Sequence, residues 1–221
     1  FFFKIIMSFK NNNSELVKLF KQLDFAKKIV VIDGMIGGGK NLISSIVSSL
    51  PNVEMWLYKP KIEQICMLHH HDHISLDAAK TMIKMWVDEE ICNQSISRDI
   101  NFKPSDYSSV FHDSKPLRYF SRLFRSPSEG EKTLKKEMPT LNLMTHVNTS
   151  YAKPLFDALE ERLIYVKIAR HHMSTYMIKH NINWIKKWES NDRFFGSLMY
   201  RTLDNNSKQI HLPLYAKKIE K

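Results

Sequence analysis

The stretch Ile29-Val30-Val31-Ile32-Asp33-Gly34-Met35-Ile36-Gly37-Gly38-Gly39-Lys40-Asn41-Leu42-Ile43 decides the fold. A β-branched apolar run gives way at once to a glycine-rich turn, a lysine and an amphipathic segment. This is the order strand, loop, helix. Glycines let the backbone turn tightly and approach an anion closely, and the N–H groups that open the next helix point at it. The spacing from Gly34 to Gly39-Lys40 fits G-x-x-x-x-G-K, but Asn41 stands where Ser or Thr would hold magnesium. Four of the six glycines in the chain of 221 residues lie between positions 34 and 39, which marks a site rather than a flexible linker.

Outward from this loop, residues 28–33 read as a core strand, apolar on both faces as in a parallel sheet covered by helices. Residues 41–50 read as the following helix, ended by Pro51-Asn52, and 53–58 as a second strand. A helix is expected over 14–25, with Ser14 as its cap. Helices are also expected over 61–70 and 76–96. In the second, Ala78, Ala79, Met82, Ile83, Trp86, Val87 and Ile91 form a stripe best read as core. Residues 97–114 read as irregular, 116–124 as a basic helix and 126–130 as a loop. A second periodic block follows: a strand over 140–145, a helix over 151–160 with Pro154 in its first turn, a strand over 162–169 and a helix over 171–188. Alternating strands and helices predict a single α/β domain over 1–221 with a central parallel sheet and a helical insertion at about 61–137. The apolar end at Leu212-Pro213-Leu214-Tyr215 reads as a truncation, and Met7 as the start of translation.

The net charge of +10 points to anionic partners, although Lys, Asn and Ile are abundant throughout, as drift in an AT-rich coding sequence would also give. Cys66 and Cys92, far apart in sequence, suggest a reducing compartment and no disulfide framework. No apolar run approaches the roughly 20 residues that span a bilayer, and the N-terminus lacks a signal-peptide pattern. A cytoplasmic protein is the expectation.

Three motifs carry a resemblance. Gly34 to Ile43, continued by Ser48-Ser49-Leu50-Pro51-Asn52-Val53, resembles the 5′-phosphosulfate loop and helix of the sulfotransferases that use 3′-phosphoadenosine 5′-phosphosulfate. The run from Leu163 through Ala169-Arg170-His171-His172-Met173-Ser174-Thr175-Tyr176 is similar to the family's 3′-phosphate motif. Leu143-Met144-Thr145-His146 resembles the element that supplies the catalytic histidine in the cytosolic branch. The resemblance implies a three-layer P-loop fold. Gly34, Gly37, Gly38, Gly39, Lys40 and Asn41 would hold the 5′-phosphosulfate, with Lys40 neutralising the leaving oxygen. Arg170, with Ser174 or Thr175, would hold the 3′-phosphate, and His146 would be the general base toward a hydroxyl acceptor, which a basic chain suits if it is a glycan. An arginine at a strand's carboxyl end, just before a helix, is well placed for a phosphate. The chain departs from the family pattern in three places. Met144 replaces a lysine, His172 replaces a proline, and Ile178 stands where a serine is frequent. Nucleic acid is not an expected partner.

Two other readings use the same loop. Asp33 to Lys40 also resembles the deoxynucleoside kinase loop, with Arg118, Arg122 and Arg125 imitating a phosphate-clamping lid and Arg98-Asp99 an acidic-Arg element. Magnesium-dependent phosphoryl transfer makes Asn41 a poor fit there, and a solvated basic helix explains the arginines as well. A non-catalytic nucleotide-binding module is the third reading. His69-His70-His71-Asp72-His73 holds metal-ligand types but reads as a polar loop, since consecutive residues seldom all point at one ion; no metal is expected. Trp56 and Trp86 read as core.

Overall fold

The computed structural model describes residues 25–35, 37–146 and 148–169. The helix expected over 171–188, and all but the last residue of that over 14–25, lie outside these residues. A four-stranded, wholly parallel sheet is built from β1 (Ile29–Gly34), β2 (Leu57–Tyr58), β3 (Leu141–Met144) and β4 (Leu163–Ile168), in the order β2-β3-β1-β4. The chain is therefore α/β, as the alternating pattern predicts. Every residue of β1 is buried, which explains its unbroken apolar run. Covering Ile29, Val31 and Ile32 completely contributes about 1.5–3 kcal/mol each.

Helices lie on both faces. Ile29 and Val31 pack against Ile62 and Ile65 of α2 (Lys61–His70), Ile83 and Val87 of α3 (Leu76–Ser95) and Leu155 of α6 (Lys153–Leu159). The opposite face carries α1 (Lys40–Ser49). There the Asn142 amide of β3 donates to the Ser44 carbonyl and to Ser48 Oγ, both at 3.0 Å. The connection from β1 thus runs through α1 toward β2, while that from β3 runs through α6 to the other side of β1. Adjacent strands whose connections leave toward opposite faces form a topological switch point, the place where open α/β sheets bind ligands.

The helical insertion occupies the chain between β2 and β3: α2, α3, α4 (Pro116–Arg122) and α5 (Pro127–Glu137). Ser75 caps α3 by accepting from the Ala78 N–H at 3.2 Å. Ala79, Ile83, Trp86, Val87 and Ile91 are its buried stripe, whereas Ala78 and Met82 face solvent.

Three elements differ from the sequence reading. Only Leu57–Tyr58 of the expected strand 53–58 pairs as a strand, with an isolated bridge from Val53 to Thr140, and Glu54 between them gives its side chain to an ion cluster. The expected loop at 126–130 is the start of α5. Ser126 and Glu129 form a capping box with Pro127 at the first helical position, so the residues that suggested a loop are helix-opening chemistry. The basic helix is α4, and it is not a solvated one: Arg122 is among the most buried side chains. No helix among the described residues is long and apolar enough to cross a membrane.

Candidate functional site

The loop between β1 and α1 lies at the carboxyl edge of the sheet, at the switch point. Gly34 ends β1 opposite Ile168 of β4. Its φ is +151°, and a Cβ there would meet the Ile168 carbonyl oxygen at 2.4 Å, so strand and loop join only through glycine. Gly39 is the N-cap of α1 in a left-handed conformation (φ 103°), and a Cβ added there would meet nothing within 4 Å. α1 has no side-chain cap and no acidic residue in its first turn. The opening N–H groups of a helix have no intrahelical partner and lie at the positive end of its dipole. Open space above a bare helix start is an anion-binding arrangement.

Lys40 folds back into this loop. Its Nζ donates to the Gly34 carbonyl at 2.6 Å and to the Met35 carbonyl at 2.9 Å, and the residue is only 4% exposed. Among the described residues it makes no ion pair within 4.0 Å. Burial lowers its pKa to about 8, with the charges of Asp33 and Glu63 opposing the fall. Asn41 is exposed at the second position of α1.

Asp33, fully buried, ties this loop to the one after β3. Its Oδ1 accepts from Thr145 Oγ1 and from the Asn148 N–H, both at 2.9 Å, and its Oδ2 accepts from the Thr149 N–H at 3.0 Å and from the Thr149 hydroxyl. Burial alone would raise its pKa. The hydrogen bonds from Thr149, Asn148, Thr145 and Tyr165 outweigh it and hold the carboxyl below the ordinary carboxylate value.

His146 follows the carboxyl end of β3. Its ring sits edge-on to Tyr58 at 4.5 Å, its backbone N–H donates to Glu63 Oε1, and its Nδ1 is 3.6 Å from that same oxygen. Glu63 is buried in the first turn of α2, and its charge also acts on Lys40. Glu63 therefore touches His146 directly and acts on Lys40 through its charge alone. Met144, at the position of the family's lysine, is buried beside Ile32 of β1 and Tyr58 of β2. The expectations for Arg170, Ser174 and Thr175, and for His171 and His172, fall outside the described residues.

Two of the three arginines proposed as a lid, Arg118 and Arg122, are committed elsewhere. Arg122 holds Glu54 with two contacts, NH1 to Oε2 at 2.7 Å and NH2 to Oε1 at 3.0 Å, while Arg118 NH2 reaches Oε1 at 2.9 Å. Tyr119 donates its hydroxyl to Glu54 Oε2 at 3.0 Å and accepts from the Met55 N–H at 2.6 Å. Glu54 precedes β2, so this cluster sits at the amino edge of the sheet, away from the glycine-rich loop. Asp99 accepts from Asn93 and pairs with Lys59 at 3.4 Å, again an internal commitment. In the histidine run, His70 packs edge-on against Tyr151 at 4.7 Å. Among the described residues, no three His, Cys, Asp or Glu side chains converge as a metal site would require.

Glu63 and Glu54 were not singled out from sequence. The signal was there for both: each is a lone carboxylate inside an apolar pattern, Glu63 between Ile62 and Ile65-Cys66, and Glu54 between Val53 and Met55. Compared with family models, curated proteins and solved structures, the chain matches none of them significantly.

Proposed function

We propose that this chain is a three-layer P-loop transferase that moves a sulfuryl group from 3′-phosphoadenosine 5′-phosphosulfate to a hydroxyl acceptor, a glycan being the acceptor class that suits its positive charge. The observation that carries this reading is the pairing at the switch point. A buried lysine lies in an uncapped, glycine-lined helix start, and a histidine at the adjacent strand end contacts Glu63, whose charge also acts on that lysine. The loop suits an anionic donor, since α1 brings no carboxylate to repel it and Lys40 has only neutral carbonyls as hydrogen-bond partners. Asn41 offers an amide where magnesium-dependent phosphoryl transfer ordinarily uses a hydroxyl, and both oxygens of Asp33 already accept hydrogen bonds. Both features favour a transfer that needs no metal.

The bound donor supplies an activated sulfuryl group on a phosphate leaving group. The chain's residues do the rest. The α1 N–H groups and Lys40 bind the phosphosulfate, and Lys40 neutralises the charge that grows on the departing oxygen. His146 takes the acceptor's hydroxyl proton as the new sulfur–oxygen bond forms. Arg170, with Ser174 or Thr175, holds the 3′-phosphate, as the resemblance implies.

Calorimetry against 3′-phosphoadenosine 5′-phosphate without metal, and separately against ATP with magnesium, tests the reading on the wild type and on Arg170→Ala. The expected result is metal-free binding of the bisphosphate that the mutant loses. Magnesium-dependent ATP binding indifferent to Arg170 would instead select a nucleoside or nucleotide kinase. Binding of neither would leave a non-catalytic module.

A further inference from the structure

We propose that Glu63 is a positioning residue for His146, orienting the imidazole and stabilising its protonated form as the acceptor's proton arrives. This rests on reading His146 as the base. One oxygen, Glu63 Oε1, accepts the His146 backbone N–H and lies 3.6 Å from Nδ1 of the same residue. The backbone bond fixes the carboxylate relative to the histidine's own main chain, so a small ring rotation about its side-chain bonds brings Nδ1–H onto Oε1. With the proton held on Nδ1, the lone pair is on Nε2, the nitrogen that takes the acceptor's proton. The edge contact with Tyr58 limits the ring to that neighbourhood.

The carboxylate does most when the ring is positive. In the ground state Glu63 faces a neutral imidazole, and after proton transfer it faces an imidazolium, so the attraction grows along the reaction. The proton passes from the acceptor oxygen to Nε2, Nδ1 keeps its own, and no proton moves to Glu63. Among the described residues, Tyr58 on β2 touches the ring, and the Glu63 charge also acts on Lys40 of α1 and on Cys66 of α2. Glu63 thus bears both on the cation that receives the leaving group and on the base that receives the proton.

Glu63→Gln separates this role from a purely structural one. The amide oxygen still accepts the His146 N–H, but the negative charge is gone. In nitrogen-detected NMR, with the His146 ring signals assigned by their disappearance in His146→Ala, the share of the Nδ1–H tautomer should fall. With the sulfuryl donor, kcat should fall roughly tenfold and the donor KM should hold. Glu63→Asp should recover part of both losses. An unchanged His146 tautomer in a folded Glu63→Gln protein would overturn the proposal. So would a kcat loss as large in the His146→Ala background as in the wild type. If wild type turns over no sulfuryl donor, the functional reading fails while the ring signals still decide the Glu63–His146 pair.

Discussion

Two buried charges at opposite edges of the sheet are treated in opposite ways. Glu54, at the amino edge, is 1% exposed and meets two arginines and a tyrosine hydroxyl. Burial would raise its pKa, but the hydrogen bond and charge of Arg122, the charge of Arg118 and the Tyr119 hydroxyl together hold it below the ordinary carboxylate value. Lys40, at the carboxyl edge, is nearly as buried, yet its hydrogen-bond partners are two backbone carbonyls. Burial prevails there and the ammonium is pulled down to about 8. A charge cluster that satisfies itself is a finished part of the scaffold. A buried cation that hydrogen-bonds only backbone carbonyls, with Asp33 and Glu63 acting on it through their charges alone, at the start of a helix with no acidic first turn, is an arrangement that an anion would complete.

The amino-edge cluster is where the largest effect is expected. Arg122→Ala leaves a buried carboxylate with half its compensation and should cost about 3–5 kcal/mol. For a chain of this length that corresponds to a fall in melting temperature on the order of 10 °C, read by circular dichroism. The bisphosphate affinity of the folded fraction should not change, because the cluster faces the other edge of the sheet. A fall of only a degree or two would mean that Arg118 alone satisfies Glu54, and the contrast would lose its structural half.

Lys40→Met is the converse experiment. It removes a buried cation that Asp33 and Glu63 offset only in part, so the melting temperature of the ligand-free protein should hold or rise. The stabilisation given by added bisphosphate should disappear. A charge-assisted hydrogen bond contributes about 1.5–3 kcal/mol, so a loss of affinity of at least tenfold is expected. The pH dependence has a definite sign. The folded pKa of about 8 lies below the ordinary lysine value of 10.5, so between these values the unfolded chain binds the extra proton. Ligand-free stability from this group therefore increases with pH across that window. A bound anion favours the protonated lysine, so affinity should fall as pH rises through about 8. Affinity that is flat from pH 7 to 9.5 would show that Lys40 does not meet the anion. Glu54 has the same sign in a lower window: its folded pKa is also depressed, so its contribution is full above the ordinary carboxylate range and is lost as the pH falls into acid.

This contrast also marks what could be read from the sequence. The β1–loop–α1 unit was legible because two local signals agree there, an apolar β-branched run and clustered glycines, whereas the helical period misleads, since α1 buries Lys40, Ser44 and Ser48 and exposes Leu42 and Ile46. The parallel sheet followed from alternating periods, and α2 was read at its observed bounds. The amino-edge cluster was not legible. Glu54 and Arg122 are 68 residues apart, and an arginine in a helix reads as surface until its partner is known. The same limit hid the contact of Glu63 with His146 and its charge on Lys40, which join α2 to the end of β3 and to α1. The start of α5 was missed for a different reason. Ser126-Pro127-Ser128-Glu129-Gly130 has the composition of a turn, and only the three-residue spacing of Ser126 and Glu129 reveals a capping box.

The smallest effect expected is also the one that separates the two readings of the loop. Asn41→Ser restores the hydroxyl of a magnesium-holding loop at an exposed position, where the fold should tolerate it. A sulfuryl donor bound through backbone N–H groups and Lys40 has no use for that hydroxyl, so bisphosphate affinity should change by less than about threefold, under 1 kcal/mol. Magnesium-dependent ATP binding should not appear, because a hydroxyl alone does not supply a metal site while both oxygens of Asp33 already receive hydrogen bonds from Thr145, Asn148 and Thr149. If calorimetry on Asn41→Ser instead reveals ATP binding that requires magnesium, the loop was one substitution away from holding a nucleoside triphosphate. The buried charge of Lys40 would then be matched to a β- or γ-phosphate, and the kinase reading would displace the sulfotransferase one.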